Sequence, residues 1–255
     1  TNNSLYISEK TGARTPFFGA YGSIVKYNIT TKVSQPIVHF KGELGEHPLG
    51  SPVKVGNKLY GVTALGGTND LGVIFSIDIL SDEYEVLHNF DGTNGGRPTC
   101  PLFVDNGILY GSTKTQGANP FTIFSYNPGT ASHVVLHSDA VATTTPTTGL
   151  MIRSGIIYFN RGVDIDQMPL SGIPYTSWFT GQAGNEIIGT DGVDFTLGGD
   201  GSWYTTFLNG GGATTDYGSI AKMDFGSGAP VKIHSFQSGS LGETSIAKLT
   251  PGLLS

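Results

Sequence analysis

The chain has 255 residues, of which 13% are charged and 38 are glycine, and its formal net charge is −6. The Lys and Arg residues are scattered, which excludes a surface that neutralises many phosphates, so nucleic acid is not an expected partner. No apolar run reaches the roughly 18 residues of a membrane span, and membrane insertion is not expected. Cys100 is the only cysteine, which excludes an internal disulfide.

An internal repeat of about fifty residues organises the sequence. A Leu-Tyr pair, or a close variant of it, recurs at five places. Its tyrosines are Tyr6, Tyr60, Tyr110, Tyr158 and Tyr204. A fixed period of this length is typical of repeat architectures such as propellers and solenoids, so the repeat is the first guide to the fold.

The first three copies predict short strands in a constant order. In the second copy, strands at 51–55 and 58–63 flank a turn at Gly56-Asn57, which is typical of a tight hairpin. In the third copy, strands at 101–104 and 108–113 flank a turn at 105–107. A third and a fourth strand follow in each copy. We predict them at 22–27 and 36–40, at 72–77 and 86–90, and at 122–126 and 134–137.

The last two copies are less regular. The fourth, around residues 164–178, departs most from the pattern. The fifth contains a predicted hairpin turn at Asp200-Gly201-Ser202 and later strands at 218–223 and 231–236. Residues 245–254 resemble the first strand and turn of a further repeat, whereas Leu5-Tyr6 resembles a second strand without its first. Pairing of the two ends would complete one blade.

Four short antiparallel strands per repeat, without helical periodicity, indicate an all-β fold. We predict a five-bladed β-propeller with four antiparallel strands per blade, closed by pairing of the N- and C-terminal strands. Residues 1–255 are expected to form a single domain, because propellers and barrels of this length fold as one unit.

Several of these motifs also resemble those of a known family. The second and third copies carry them best. They are Leu59-Tyr60-Gly61, Gly66-Gly67, Gly72-Val73-Ile74-Phe75, Leu87-His88-Asn89-Phe90, Gly96-Arg97-Pro98 and Leu109-Tyr110-Gly111. The sequence thereby resembles the GloVer-type choice-of-anchor tandem repeat family of exported bacterial proteins. The resemblance implies a propeller-like fold and an exported, surface-associated setting, and it implies no catalytic residues.

The long loops are the predicted binding face. In a propeller the strand 2–3 loops and the links between blades lie on one face, and here they are longer than the strand 1–2 turns. Loops on a rigid frame often carry function. Amides, carboxylates and arginines beside aromatic rings suit sugar recognition. The candidate ligand-binding residues are Arg14, Phe17, Phe18, Asn69, Asp70, Arg97, Asn119, Arg161, Asp164 and Asp216.

Metal binding has weaker support. Asp70 and Asp216 each stand two residues before a glycine, which indicates either a repeated Ca²⁺ contact or a turn stabilised by the carboxylate. The turn is favoured because neither loop supplies the several oxygen ligands of calcium. His88, His137 and His234 occupy the same place in three fourth strands, and equivalent positions on different blades diverge too far to share an ion. No cofactor is therefore expected, and calcium is the one ion left open.

Three functions remain open. The first is a non-catalytic binding module, secreted or exposed on a cell or virion surface, that recognises a glycan or a cell-surface receptor. The second is a structural or assembly domain of a larger surface or virion protein, with its other chains as partners. The third, and least expected, is a glycoside hydrolase with a central carboxylate pair. Its candidates are Asp164, Asp166, Asp191, Asp194 and Glu186.

Overall fold

The computed structural model describes residues 4–9, 21–114, 121–139, 146–161, 164–172, 174–180, 191–208 and 216–237. Two compact units divide the chain, Thr1–Ala142 and Thr143–Ser255. The described residues contain five antiparallel sheets and one short 3₁₀ helix, η1 (Gly42–Leu44). The prediction that residues 1–255 form one domain stays a prediction.

The first unit contains three sheets of consecutive strands. The first sheet consists of β1 (Ser4–Glu9), β2 (Ser23–Asn28) and β3 (Ser34–His39). The second consists of β4 (Glu46–Pro48), β5 (Val53–Val55), β6 (Lys58–Leu65), β7 (Val73–Asp78) and β8 (Tyr84–Asn89), with β4 and β5 both paired to β6. The third consists of β9 (Phe103–Asp105), β10 (Ile108–Thr113), β11 (Phe121–Asn127) and β12 (Ser132–Asp139).

The second unit contains two four-stranded sheets, and in both the strands pair in chain order. The fourth sheet consists of β13 (Pro146–Arg153), β14 (Ile156–Arg161), β15 (Asp164–Pro169) and β16 (Thr176–Phe179). The fifth consists of β17 (Asp191–Leu197), β18 (Trp203–Leu208), β19 (Asp216–Asp224) and β20 (Ala229–Gln237).

The sheets follow the predicted repeats. The first sheet has three strands with β1 at its edge, as expected of a blade that lacks its first strand. The fourth repeat keeps all four strands despite its irregular sequence. The run at 245–254 lies outside the described residues, so pairing between the two ends of the chain stays a prediction.

A glycine opposite a phenylalanine explains two of the family-like motifs. Gly61 on β6 pairs with Phe75 on β7, and Gly111 on β10 pairs with Phe124 on β11. A Cβ atom at either glycine would meet the Cζ atom of the phenylalanine opposite. The ring lies across the neighbouring strand, and it can do so only where that strand has no side chain.

These rings build the core of the first unit. Phe75 packs with Phe40 and Tyr84, at centroid distances of 5.3 and 5.4 Å, in a cluster that joins the first and second sheets. Phe124 packs with Phe90 at 5.3 Å in a cluster that joins the second and third. Each phenylalanine is almost fully buried, so each contributes about 1.5–3 kcal/mol through burial of apolar surface.

The turn between the third and fourth strands is also repeated. In four of the five sheets an Asn or Asp begins it, and the side-chain oxygen accepts backbone N–H groups two or three residues later. These residues are Asn28, Asp78, Asn127 and Asp224. The residue four positions on has a positive φ in each, between 53° and 72°. Short polar side chains suit this turn because they replace a backbone acceptor.

Candidate functional site

Three of the predicted ligand-binding residues lie on two loops that pack together. The β6–β7 loop and the link from β8 to the third sheet are joined by the Arg97 N–H, which donates to the Leu71 carbonyl at 2.7 Å. The Asn69 side chain donates to the Phe90 carbonyl at 3.1 Å. Asn69, Asp70 and Arg97 therefore lie on two joined loops, and their role in ligand binding stays a prediction.

Two of the three have structural roles. Asp70 has φ +55°, and its carboxylate accepts the Gly66 N–H at 3.0 Å. This is the carboxylate-stabilised turn that the sequence favoured over calcium. The Asn69 amide bond to Phe90 ties the two loops together. No group of three or more His, Cys, Asp or Glu side chains within the described ranges could hold a metal ion.

Arg97 differs from Asn69 and Asp70. Its backbone conformation recurs in the preceding repeat, whereas its side chain does not. His47 stands fifty residues earlier, and both residues have positive φ, at 56° and 50°. The His47 N–H donates to the Tyr21 carbonyl at 2.7 Å, as the Arg97 N–H does to Leu71. The Arg97 Nε atom is buried without a hydrogen-bond partner, so this guanidinium keeps unused donor capacity.

The fourth repeat corrects one prediction. Arg161 and Asp164 were assigned to a long strand 2–3 loop, but both lie in strands, where they pair across β14 and β15. Only residues 162 and 163 connect these strands. Asp216 begins β19 and is not within a loop. Arg14, Phe17, Phe18 and Asn119 lie outside the described residues.

A buried ion pair replaces the glycine–phenylalanine pair in this sheet. Phe159 stands where the repeat has glycine, and Asp166 pairs opposite it, where the repeat has phenylalanine. Asp166 is fully buried, and its Oδ2 atom lies 2.5 Å from Arg161 Nε. Burial raises the pKa of Asp166, and Arg161 opposes that rise.

This environment bears on the hydrolase hypothesis. A carboxylate that is closed off from solvent and paired with an arginine holds the sheet together and is not positioned to contact a polysaccharide. Asp164 lies beside it on the same strand, and its charge also raises the pKa of Asp166. The side chains of Asp191 and Asp194, and residue Glu186, lie outside the described part of the chain.

The second unit has a pocket that the sequence did not predict. It lies between the fourth and fifth sheets and has a volume of about 250 Å³. The β13–β14 turn, the β17–β18 turn and the β19–β20 turn line it, mainly with Arg153, Ser202, Trp203, Asp224 and Phe225. These are short turns, so the pocket lies at the opposite strand ends from the predicted loop face.

Aromatic rings and one arginine pack together beside this pocket. The Phe225 ring contacts Tyr158 and Trp178, with centroids 5.2 and 5.5 Å apart. Tyr158 and Trp178 contact each other edge-to-face at 5.9 Å. The Arg153 guanidinium carbon lies 4.2 Å from the centroid of the Phe225 ring. A cation held over a ring face is attracted by the ring quadrupole, which fixes the orientation of the guanidinium.

Two carboxylates at the pocket are bonded within their own turns. Asp224 accepts the Gly226 and Ser227 N–H groups, and these bonds lower its pKa. Asp200 accepts the Ser202 N–H at 3.0 Å and the Tyr204 hydroxyl at 2.9 Å. These hydrogen bonds lower the pKa of Asp200 to about 2. Both groups are therefore anionic at neutral pH.

The predicted histidine positions are equivalent in the structure. His88, His137 and His234 lie opposite Ile74, Ile123 and Ile220 in three sheets. Another histidine was missed. His133, at the start of β12, contacts His88 of the preceding sheet. A search for repeated positions does not find it, because it has no equivalent in the other repeats.

Comparison with known sequences and structures identifies similar proteins. A sequence model described as the Gloeobacter/Verrucomicrobia repeat matches residues 1–164. No curated protein matches the chain. Among solved structures, the chain is similar to one from a nidogen/laminin complex, at 14% identity and a TM-score of 0.60, over 92% of this chain and 76% of that one.

Two further solved structures are similar at the same level. TolB from Acinetobacter baumannii has 14% identity and a TM-score of 0.59, over 91% of this chain and 53% of that one. An oligogalacturonate lyase in complex with manganese has 12% identity and a TM-score of 0.58, over 92% of this chain and 63% of that one. The chain thus spans half to two thirds of these two proteins. At such identities the likeness shows a propeller-like fold alone.

Proposed function

Since this chain belongs to the Gloeobacter/Verrucomicrobia repeat family, as its motifs indicated, we propose that it is a non-catalytic binding module that recognises carbohydrate. One observation carries the proposal. The pocket between the fourth and fifth sheets combines aromatic rings, an arginine and polar turn groups in a volume of about 250 Å³. Its place is an exported or surface-exposed part of a larger protein, in keeping with the family.

The composition of the pocket favours sugar over other ligands. Sugar rings present C–H faces that pack on aromatic side chains, and hydroxyl groups that both donate and accept hydrogen bonds. Trp203 and Phe225 supply the rings, while Arg153, Ser202 and Asp224 supply donors and acceptors. Ligand pockets usually measure about 300–1,000 Å³. A volume slightly below that range suits one sugar unit or the end of a chain.

The surroundings of three described carboxylates in the second unit favour binding without catalysis. Within the described part of the chain, Asp166 is buried against Arg161, and Asp200 and Asp224 are bonded within turns. A glycosidase needs two carboxyl groups that flank the bond it cleaves. The proposal therefore assigns the chain a recognition role.

A glycan-array screen of the purified chain tests this function. We expect reproducible binding that Phe225→Leu and Trp203→Leu each weaken, because both changes remove a ring face and keep an apolar side chain. Circular dichroism verifies folding of each variant. If no glycan on the array binds, carbohydrate recognition is refuted, and the structural or receptor-binding alternative is favoured.

A second pair of variants tests the loop face that the sequence predicted. Asn69→Ala with Asp70→Ala, and Arg97→Gln alone, change the joined loops of the second sheet and leave the pocket intact. Binding that these variants weaken, and the Trp203 and Phe225 variants do not, would place the site on the long loops. Repeating the screen with a calcium chelator tests whether calcium is required.

A further inference from the structure

Arg153 is the charged group of the pocket whose hydrogen-bonding capacity is unused. Its guanidinium lies over the Phe225 ring, and among the described residues it has no ion pair or hydrogen bond. A guanidinium that stacks on a ring directs its N–H groups outward in its own plane. That fork matches the geometry of a carboxylate, which accepts two parallel N–H bonds.

The nearby acidic groups do not neutralise this arginine. Asp224 directs its carboxylate to the N–H groups of its own turn. Asp200 bonds Ser202 and Tyr204 and lies 3.6 Å from the Lys222 ammonium group. Both carboxylates keep their negative charge, but these partners hold them within their own turns, and among the described residues neither forms an ion pair with Arg153, the cation at the mouth of the pocket.

Three buried polar side chains of the second unit have no partner among the described residues. Asn160, Thr205 and Ser219 are fully buried, and their side-chain polar atoms have no hydrogen-bond partner. Side chains alternate along a strand, so Asn160 shares a face with Tyr158, and Thr205 shares one with Trp203. Buried polar groups are nearly always bonded to protein or water, and these three belong to the interior of their sheets and not to the pocket lining.

The sequence of the fifth sheet explains why the interface between the fourth and fifth sheets differs from the others. Thr205 pairs with Ala221, at the place where Gly111 pairs with Phe124 in the third sheet. The fifth sheet has a methyl group where the third has a phenyl ring. The interface between the fourth and fifth sheets therefore lacks the ring that fills the one between the second and third.

We infer that the pocket between the fourth and fifth sheets binds a sugar that bears a carboxylate, a hexuronic acid unit, with Arg153 as the residue that selects the acid. The inference rests on the proposed function. The Arg153 fork takes the carboxylate, Trp203 and Phe225 pack against the pyranose ring, and Ser202 bonds its hydroxyls. The ligand class is thus an acidic polysaccharide or its chain end.

Isothermal titration of the whole chain tests this selectivity. The probes are galacturonic and glucuronic acid with their oligomers, the parent neutral sugars galactose and glucose, and sodium acetate. Hydrogen bonds to charged groups are roughly twice as strong as neutral ones. We therefore expect the acids to bind at least about tenfold more tightly than the neutral sugars, with a loss of affinity between 0.1 and about 1 M salt.

Variants of one residue separate charge from geometry. Arg153→Lys keeps the charge and loses the fork, and Arg153→Gln loses both, so both are expected to lower the preference for acids to within about threefold of the neutral sugars. Lys54→Gln, an exposed lysine on the second sheet, removes one positive charge elsewhere and is expected to leave the preference unchanged.

The outcomes distinguish this inference from the function beneath it. Equal binding of acidic and neutral sugars, or a preference that survives in Arg153→Gln, would overturn the inference and leave sugar recognition in place. Acetate that competes as well as the hexuronic acids would also overturn it, since the pyranose would then contribute nothing. Failure of every sugar to bind would refute the proposed function itself.

Discussion

His88 and His133 stack face to face, with ring centroids 4.1 Å apart and ring planes within 2° of parallel. The Phe90 ring meets both edge-on, at 5.1 and 5.8 Å. The Nε2 atoms of His88 and His133 are buried without hydrogen-bond partners. Burial and the neighbouring His88 lower the pKa of His133 to about 4, and the nearby Asp91 opposes that shift. Protonation would therefore place a cation in an aromatic cluster.

This stack predicts a stability that falls in mild acid. An unfolded histidine titrates near 6.5, so between that pH and about 4 the unfolded chain binds more protons than the folded one. The contribution of His133 to the free energy of unfolding is therefore fully present above pH 6.5 and decreases as the pH falls. We expect a loss of about 1–2 kcal/mol from pH 7 to pH 5, measured by urea unfolding with circular dichroism.

His133→Phe should flatten this dependence, because phenylalanine can occupy the stack without titrating. The matched control is His39→Phe at an exposed position, which should leave the slope as in the parent chain. A slope that persists unchanged in His133→Phe would show that other groups cause the acid sensitivity.

Gly61→Ala should destabilise the first unit. The added methyl group would overlap the Phe75 ring, and overpacking of this kind costs about 1–3 kcal/mol. Gly129→Ala is the control, because a Cβ atom there meets only the Asn127 side-chain oxygen, at 3.3 Å. Thermal unfolding compares the two. Equal melting temperatures would contradict the explanation given for the glycine–phenylalanine pair.

Arg161→Met should destabilise the second unit in a pH-dependent way. It leaves Asp166 fully buried without its partner, and breaking a buried pair costs about 3–5 kcal/mol. A carboxyl group whose folded pKa is raised stabilises the fold below its unfolded value and loses that contribution as the pH rises. The variant should therefore be much closer to the parent at pH 4 than at pH 7.

Tryptophan fluorescence follows this variant, because Trp178 and Trp203 both lie in the second unit. Lys222→Met is the control, since its ion pair with Asp200 is exposed and pairs of that kind contribute less than about 1 kcal/mol. The interpretation of Arg161 would be wrong if the two variants had similar unfolding midpoints at pH 7.

Asn127→Ala should weaken the turn between β11 and β12. The Asn127 side-chain oxygen accepts the Gly129 N–H at 2.9 Å, and one such bond contributes about 0.5–1.5 kcal/mol. Asn127→Asp keeps the acceptor and follows the Asp found in two other sheets, so it should retain the parent stability. Urea midpoints rank the three chains, and an alanine variant as stable as the parent would contradict the role of this turn.

The sequence predicted the sheets best where a physical constraint recurs every fifty residues. The rings of Phe75 and Phe124 need a position without a side chain opposite them, so glycine recurs there in two repeats, as Gly61 and Gly111. In the fourth repeat Phe159 and Asp166 occupy the positions of the glycine and the phenylalanine, so the sequence motif changes while the strands are retained. That exchange is why the sequence assigned Arg161 to a loop.

The pocket could not be predicted from repeats. Arg153, Trp203 and Phe225 come from three turns that are far apart in the chain, and each belongs to a turn whose local sequence explains it fully. The Asp200-Gly201-Ser202 turn itself was predicted correctly. Its proximity to Arg153 follows from the packing of one sheet on the next, which no local pattern encodes.

His47 and Arg97 have the same backbone conformation, and this similarity suggests how such proteins diversify. At both places a main-chain bond and a left-handed conformation hold the loop, so the fold places little demand on the side chain. An imidazole in one repeat and a guanidinium in the next sit on the same support. Each added repeat brings a new position where mutation can alter surface chemistry at little expense to stability, and duplication becomes a source of new recognition.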